Sequence, residues 1–61
     1  MKNALTTKEV TFVSDLLIYE ESACKKARLY SRTLTDKELA ESFSRLADCH
    51  EKRFNALLEL L

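Results

Sequence analysis

Glu20 and His50 are the two side chains best suited to chemistry in this sequence, because each interrupts an otherwise apolar helical seam. A carboxylate and an imidazole side by side in an apolar layer have two uses. They form a hydrogen-bonded buried pair, or they supply ligands for Zn, Fe or Mn. Cys49 neighbours His50 and could add a thiolate to a soft-metal site, although its direction on a helix lies about 100° from that of His50. The ordinary alternative for Cys49, and for Cys24 on the seam of the first helix, is a small buried hydrophobe with a free thiol. Two cysteines at this spacing match neither a disulfide framework nor a zinc-finger pattern. No nucleophile with an adjacent base, no Gly-rich phosphate loop and no paired carboxylates serving a pocket can be identified, so a hydrolase or transferase is not expected.

The elements that must bring Glu20 and His50 together are announced by two helix starts. Leu5-Thr6-Thr7-Lys8-Glu9-Val10 recurs as Leu34-Thr35-Asp36-Lys37-Glu38-Leu39. Thr6 with Glu9, and Thr35 with Glu38, have capping-box spacing, in which hydroxyl and carboxylate satisfy backbone N–H groups that the first turn leaves without partners. Leu5 with Val10, and Leu34 with Leu39, have the spacing of a hydrophobic staple. The chain of 61 residues has no Gly and no Pro, which argues against a fold of short strands and hairpins. The expected class is all-α. Helix 1 is read over about residues 7–32 and helix 2 over about 36–60, folded back as antiparallel neighbours because the connection is so short. With the turn centred between Leu34 and Thr35, residues whose numbers add to about 69 lie level, which places Glu20 beside His50.

The apolar faces are wider than a hairpin can bury. On helix 1 the seam runs through Val10, Val13, Leu17, Glu20, Cys24, Ala27, Ser31 and Leu34, widened by Phe12, Leu16, Tyr19, Ala23 and Tyr30. On helix 2 it runs through Leu39, Phe43, Leu46, His50, Phe54, Leu57 and Leu61, widened by Ala40, Ala47 and Leu58. Phe12, Phe43 and Phe54 are expected in the core, and Tyr19 and Tyr30 at its boundary. A lone core this small is marginal, and surplus apolar surface predicts association. A homodimeric four-helix bundle, a higher even oligomer, or docking onto a larger helical partner protein would each satisfy it.

Ten basic and ten acidic residues cancel, so no net field attracts nucleic acid or an anionic membrane. The longest apolar run, Leu16 to Tyr19, is far shorter than the ~20 residues of a spanning helix. With no leader pattern at its start, the sequence reads as that of a soluble, cytoplasmic protein. Lys25, Lys26, Arg28 and Arg32 near the end of helix 1 complement its dipole, as do Asp36, Glu38 and Glu41 at the start of helix 2. Glu21 with Lys25, Glu41 with Arg45, and Asp48 with Lys52 have the spacing of exposed ion pairs within a helix.

Glu20 in Tyr19-Glu20-Glu21-Ser22-Ala23 and His50 in Ala47-Asp48-Cys49-His50 resemble the ferritin-like superfamily, in particular half-length members related to rubrerythrin-like proteins and to the spore-coat protein F type. The similarity spans most of the chain. It implies a Glu midway along the first helix and a Glu-x-x-His on the second, projecting into a four-helix bundle to hold two metal ions. Glu20 matches the first element and His50 the last, but Ala47 stands where the pattern asks for a bridging carboxylate. The resemblance therefore implies a non-enzymatic structural or interaction module, coat-associated in kind. Its alternative is an Fe-, Mn- or Zn-binding protein that shares Glu20 and His50 across a dimer.

Overall fold

A computed structural model describes residues 5–61 and consists of two α-helices, α1 over Thr7–Thr33 and α2 over Lys37–Leu58. They run antiparallel, joined by Leu34, Thr35 and Asp36. The body measures 46 × 16 × 10 Å, so it is a single layer with the depth of one helix. No helix among the described residues is long and apolar enough to cross a membrane.

The start of α1 is the predicted capping box. Glu9 N–H donates to Thr6 Oγ1 at 3.1 Å, and Thr6 N–H donates to Glu9 Oε1 at 2.9 Å. The bond from the Thr6 backbone, reinforced by the Thr6 side chain, holds the Glu9 carboxyl below its ordinary value of 4.5. A carboxylate with a lowered folded-state pKa stabilises the fold above its unfolded pKa and loses that contribution as pH falls through the folded value. A Glu9→Gln chain is therefore expected to melt slightly below the parent at pH 7. The gap should close as acid titration passes below about 4.5, which melting curves across that range would show.

The start of α2 departs from the expected capping box of Thr35 with Glu38. Asp36 is the N-cap, its Oδ1 accepting from Leu39 N–H at 2.8 Å. A carboxylate accepts more strongly than a hydroxyl and also meets the positive end of the helix dipole, so the cap shifts by one residue. The third helical position is then Leu39, which has no carboxylate to return the bond. At the far end α2 stops at Leu58 rather than at 60, where Leu60 and Leu61 bond three residues back in a tighter turn.

The α1 seam is as read: Val10, Val13, Leu17, Glu20, Cys24, Ala27, Ser31 and Leu34 are its buried and half-buried positions, with Ser14, Ala23 and Arg28 beside them. The α2 seam keeps Phe43, His50, Phe54 and Leu57 as expected but moves by one residue at two positions, from Leu39 to Ala40 and from Leu46 to Ala47. Ala40, Phe43, Ala47, His50, Phe54 and Leu57 turn inward, whereas Leu39 and Leu46 remain exposed. Small residues at the centre explain the shift. Ala47 is fully buried, and its carbonyl accepts from Cys24 Sγ at 3.4 Å, an approach of backbone to side chain that a leucine at this position would block. Phe12, expected in the core, is more than half exposed. Among the described residues, only Val13, Ala27 and Ala47 are buried apart from Glu20, and no large side chain is fully enclosed.

Candidate functional site: a buried Glu–His pair on a two-sided hairpin

Glu20 and His50 meet as the helix register predicts. His50 Nδ1 donates to Glu20 Oε1 at 2.5 Å, so the imidazole and the buried carboxyl are in direct hydrogen-bond contact. Glu20 is 6% exposed, the one buried ionisable residue among those described. Tyr19 sets its ring nearly perpendicular to the imidazole with centroids 6.3 Å apart, and Arg53 places a guanidinium nitrogen 4.0 Å from Glu20 Oε2. Helical side chains lean toward the N-terminus of their own helix, so Arg53 drops back almost one turn to reach the level of His50.

The donor set of one hairpin does not make a metal site. Glu20 and His50 already satisfy each other, Ala47 contributes only a buried methyl group three residues before His50, and no cluster of three or more His, Cys, Asp or Glu occurs among the described residues. Cys49 is exposed, not the small buried hydrophobe expected of it. Cys24 is half-buried and bonded to the Ala47 carbonyl, and both thiols are free.

The remaining side chains divide the hairpin into two unlike sides. On one side Arg28 spans the helices, donating to Asp48 Oδ1 and to Glu51 Oε1, each at 3.1 Å. This bridge differs from the sequence expectation, which pairs Asp48 with Lys52 within its own helix. The signal was available: Arg28 leans back toward residue 24, and Asp48 and Glu51 lean back toward the turn, so the three converge between helices. Of the three expected pairs within a helix, Glu21 with Lys25 forms at 3.9 Å between exposed atoms, while Arg45 donates to Ser42 Oγ rather than pairing with Glu41.

The other side is apolar. Phe12, Leu16, Tyr19 and Tyr30 from α1, Leu39 and Leu46 from α2, and Leu60 just beyond its end are exposed, from 39% for Leu60 to 59% for Tyr19. At 100° per residue the α2 set forms one strip with Arg53, and Leu60 and Arg53 line a groove of about 440 Å³ with Leu16, Glu20, Ala56 and Leu57. Tyr30 packs edge-on against Phe43 at 5.4 Å on the same side. With roughly 200 Å² available per large side chain, the seven expose on the order of 600 Å² in one strip. That is at the upper end of what a soluble monomer presents as its largest apolar patch. Compared with protein-family models, curated proteins and solved structures, the chain matches none.

Proposed function

We propose that the chain is a non-enzymatic helical-hairpin module whose two copies pair through their apolar sides into a four-helix bundle. The observation that carries this reading is the concentration of seven exposed large apolar residues on one side of a layer one helix deep. Stable domains bury the apolar side of one layer against another, and this hairpin has no second layer of its own. An area of about 600 Å² per copy approaches the ~800 Å² per partner of a standard interface. The self-complementary partner is a second copy related by a twofold axis, which presents the same strip to itself. A structural role within a larger assembly, coat-associated in the manner of the ferritin-like hairpins it resembles, belongs to the same proposal.

The test compares Leu16→Asp and Leu46→Asp with Ile18→Asp in sedimentation equilibrium at micromolar concentration. Ile18 is 65% exposed, more than either leucine, but it lies on the back of α1. In an isolated hairpin all three are surface substitutions with effects within about 0.5 kcal/mol. In the dimer the two leucine variants should sediment as monomers with lowered melting temperature, and Ile18→Asp should match the parent. A monomeric, folded parent chain overturns the reading. So does a parent that is soluble only with another protein, which would make it an adaptor. About half an equivalent or more of Fe, Mn or Zn per chain, lost in His50→Ala, would replace the structural reading with the shared metal site.

A further inference from the structure

The Glu20–His50 pair stands at the midpoint of the apolar side. That side runs on α1 from Phe12 to Tyr30 and along α2 and the turn after it from Leu39 to Leu60, so residues 20 and 50 each fall within about one residue of the centre of their strip. The pair also reaches the surface of that side. The side chains of His50 and Glu20 retain 14% and 8% exposure, Tyr19 edges the imidazole, and Glu20 lines the groove beside Leu16.

We infer that this pair sets the register of the dimer, a conclusion that rests on the dimeric reading above. Without it the strip would be aromatic and aliphatic except for Arg53, whose long side chain can carry its charge to the edge, and two copies sliding by one helical turn, about 5.4 Å, would exchange one set of apolar contacts for another. With it, each slipped register presses the imidazole against leucine or phenylalanine and removes its second nitrogen from water without a polar partner, while Glu20 Oε2 keeps only the Arg53 guanidinium 4.0 Å away. The aligned register places the pair of one copy opposite the pair of the other, in one polar layer. A single polar position in an apolar helical seam selects register in this way, lowering the stability of the wrong alignments more than that of the right one.

The exposed thiol of Cys49, next to His50, provides the probe. In a Cys24→Ala background, a nitroxide on Cys49 reports the distance between the two copies by pulsed electron resonance. The parent should give one narrow distance. Glu20→Leu combined with His50→Leu should keep the melting temperature at or above that of the parent, yet broaden the distribution or split it by steps of up to about 5.4 Å. Glu20→Met with His50→Phe carries the same expectation if the leucine pair does not fold. A single narrow distance at the parental value in a folded apolar variant overturns the register role while leaving the dimer intact. An absence of any distance between copies in the parent overturns the dimer itself, so the two failures are distinguishable.

Discussion

Ala47→Glu is expected to abolish the folded hairpin at neutral pH, read as loss of the helical circular-dichroism signal at a concentration where the parent is folded. Ala47 is fully buried against α1, with its carbonyl bonded to Cys24. A glutamate there must either force the helices apart or place a carboxylate in the contact. Overpacking a closed site costs about 1–3 kcal/mol, and an unpaired buried charge costs several more unless it is neutralised. Such a sum is comparable to the ~3–5 kcal/mol that a single core supplies in a chain of this size. Ala47→Leu should show the packing part alone, and Ala47→Ser should fold. The result bears on the resemblance, since a carboxylate at this position is what the ferritin-like pattern asks for. A folded Ala47→Glu chain that takes up Fe or Mn would mean that the helices separate easily and that close packing does not define the seam.

His50→Ala is expected to cost about 3–5 kcal/mol in urea denaturation at fixed protein concentration, because it leaves the Glu20 carboxylate buried and without its hydrogen bond. Glu20→Leu with His50→Leu should cost far less than His50→Ala alone, since an apolar replacement of both members removes the buried charge together with its partner. The double-mutant cycle isolates the coupling, and His50→Gln, which keeps an N–H donor, should recover part of it. Fixed concentration matters because the stability of a dimer depends on mass action. A His50→Ala chain as stable as the parent would show that water or Arg53 satisfies Glu20, and the pair would lose its structural meaning.

The local signals in the sequence located most of what positions this pair. Thr6 and Glu9 fixed the start of α1 through bonds that span only three residues, so no distant contact was needed to infer them. The α1 seam was legible because its residues recur by threes and fours, and the short Leu34–Asp36 connection left the helices no arrangement but an antiparallel one. From these two facts the meeting of Glu20 and His50 followed, although thirty positions separate them. The chemistry of that meeting was not legible: a hydrogen-bonded pair and a set of metal ligands use the same residue types.

Three features depended on the folded structure. Two strips of α2, Leu39 with Leu46 and Ala40 with Ala47, lie one residue apart, and hydrophobicity alone favours the leucines. The alanines turn inward because Cys24 and Ala27 on α1 are also small, so the two backbones close together and the larger side chains are displaced outward. The partners of Arg28 depended likewise on where α2 lies, and the accumulation of the surplus apolar residues on the side opposite that bridge follows from both choices. The sequence by itself determined two helices, their order, and the level at which the polar pair meets, because those follow from local hydrogen bonds and a fixed rise per residue. Only the tertiary structure decided that Ala40 and Ala47 close the α2 contact while Leu39 and Leu46 are left for a partner, because the distance of closest approach depends on the side-chain volumes of both helices together.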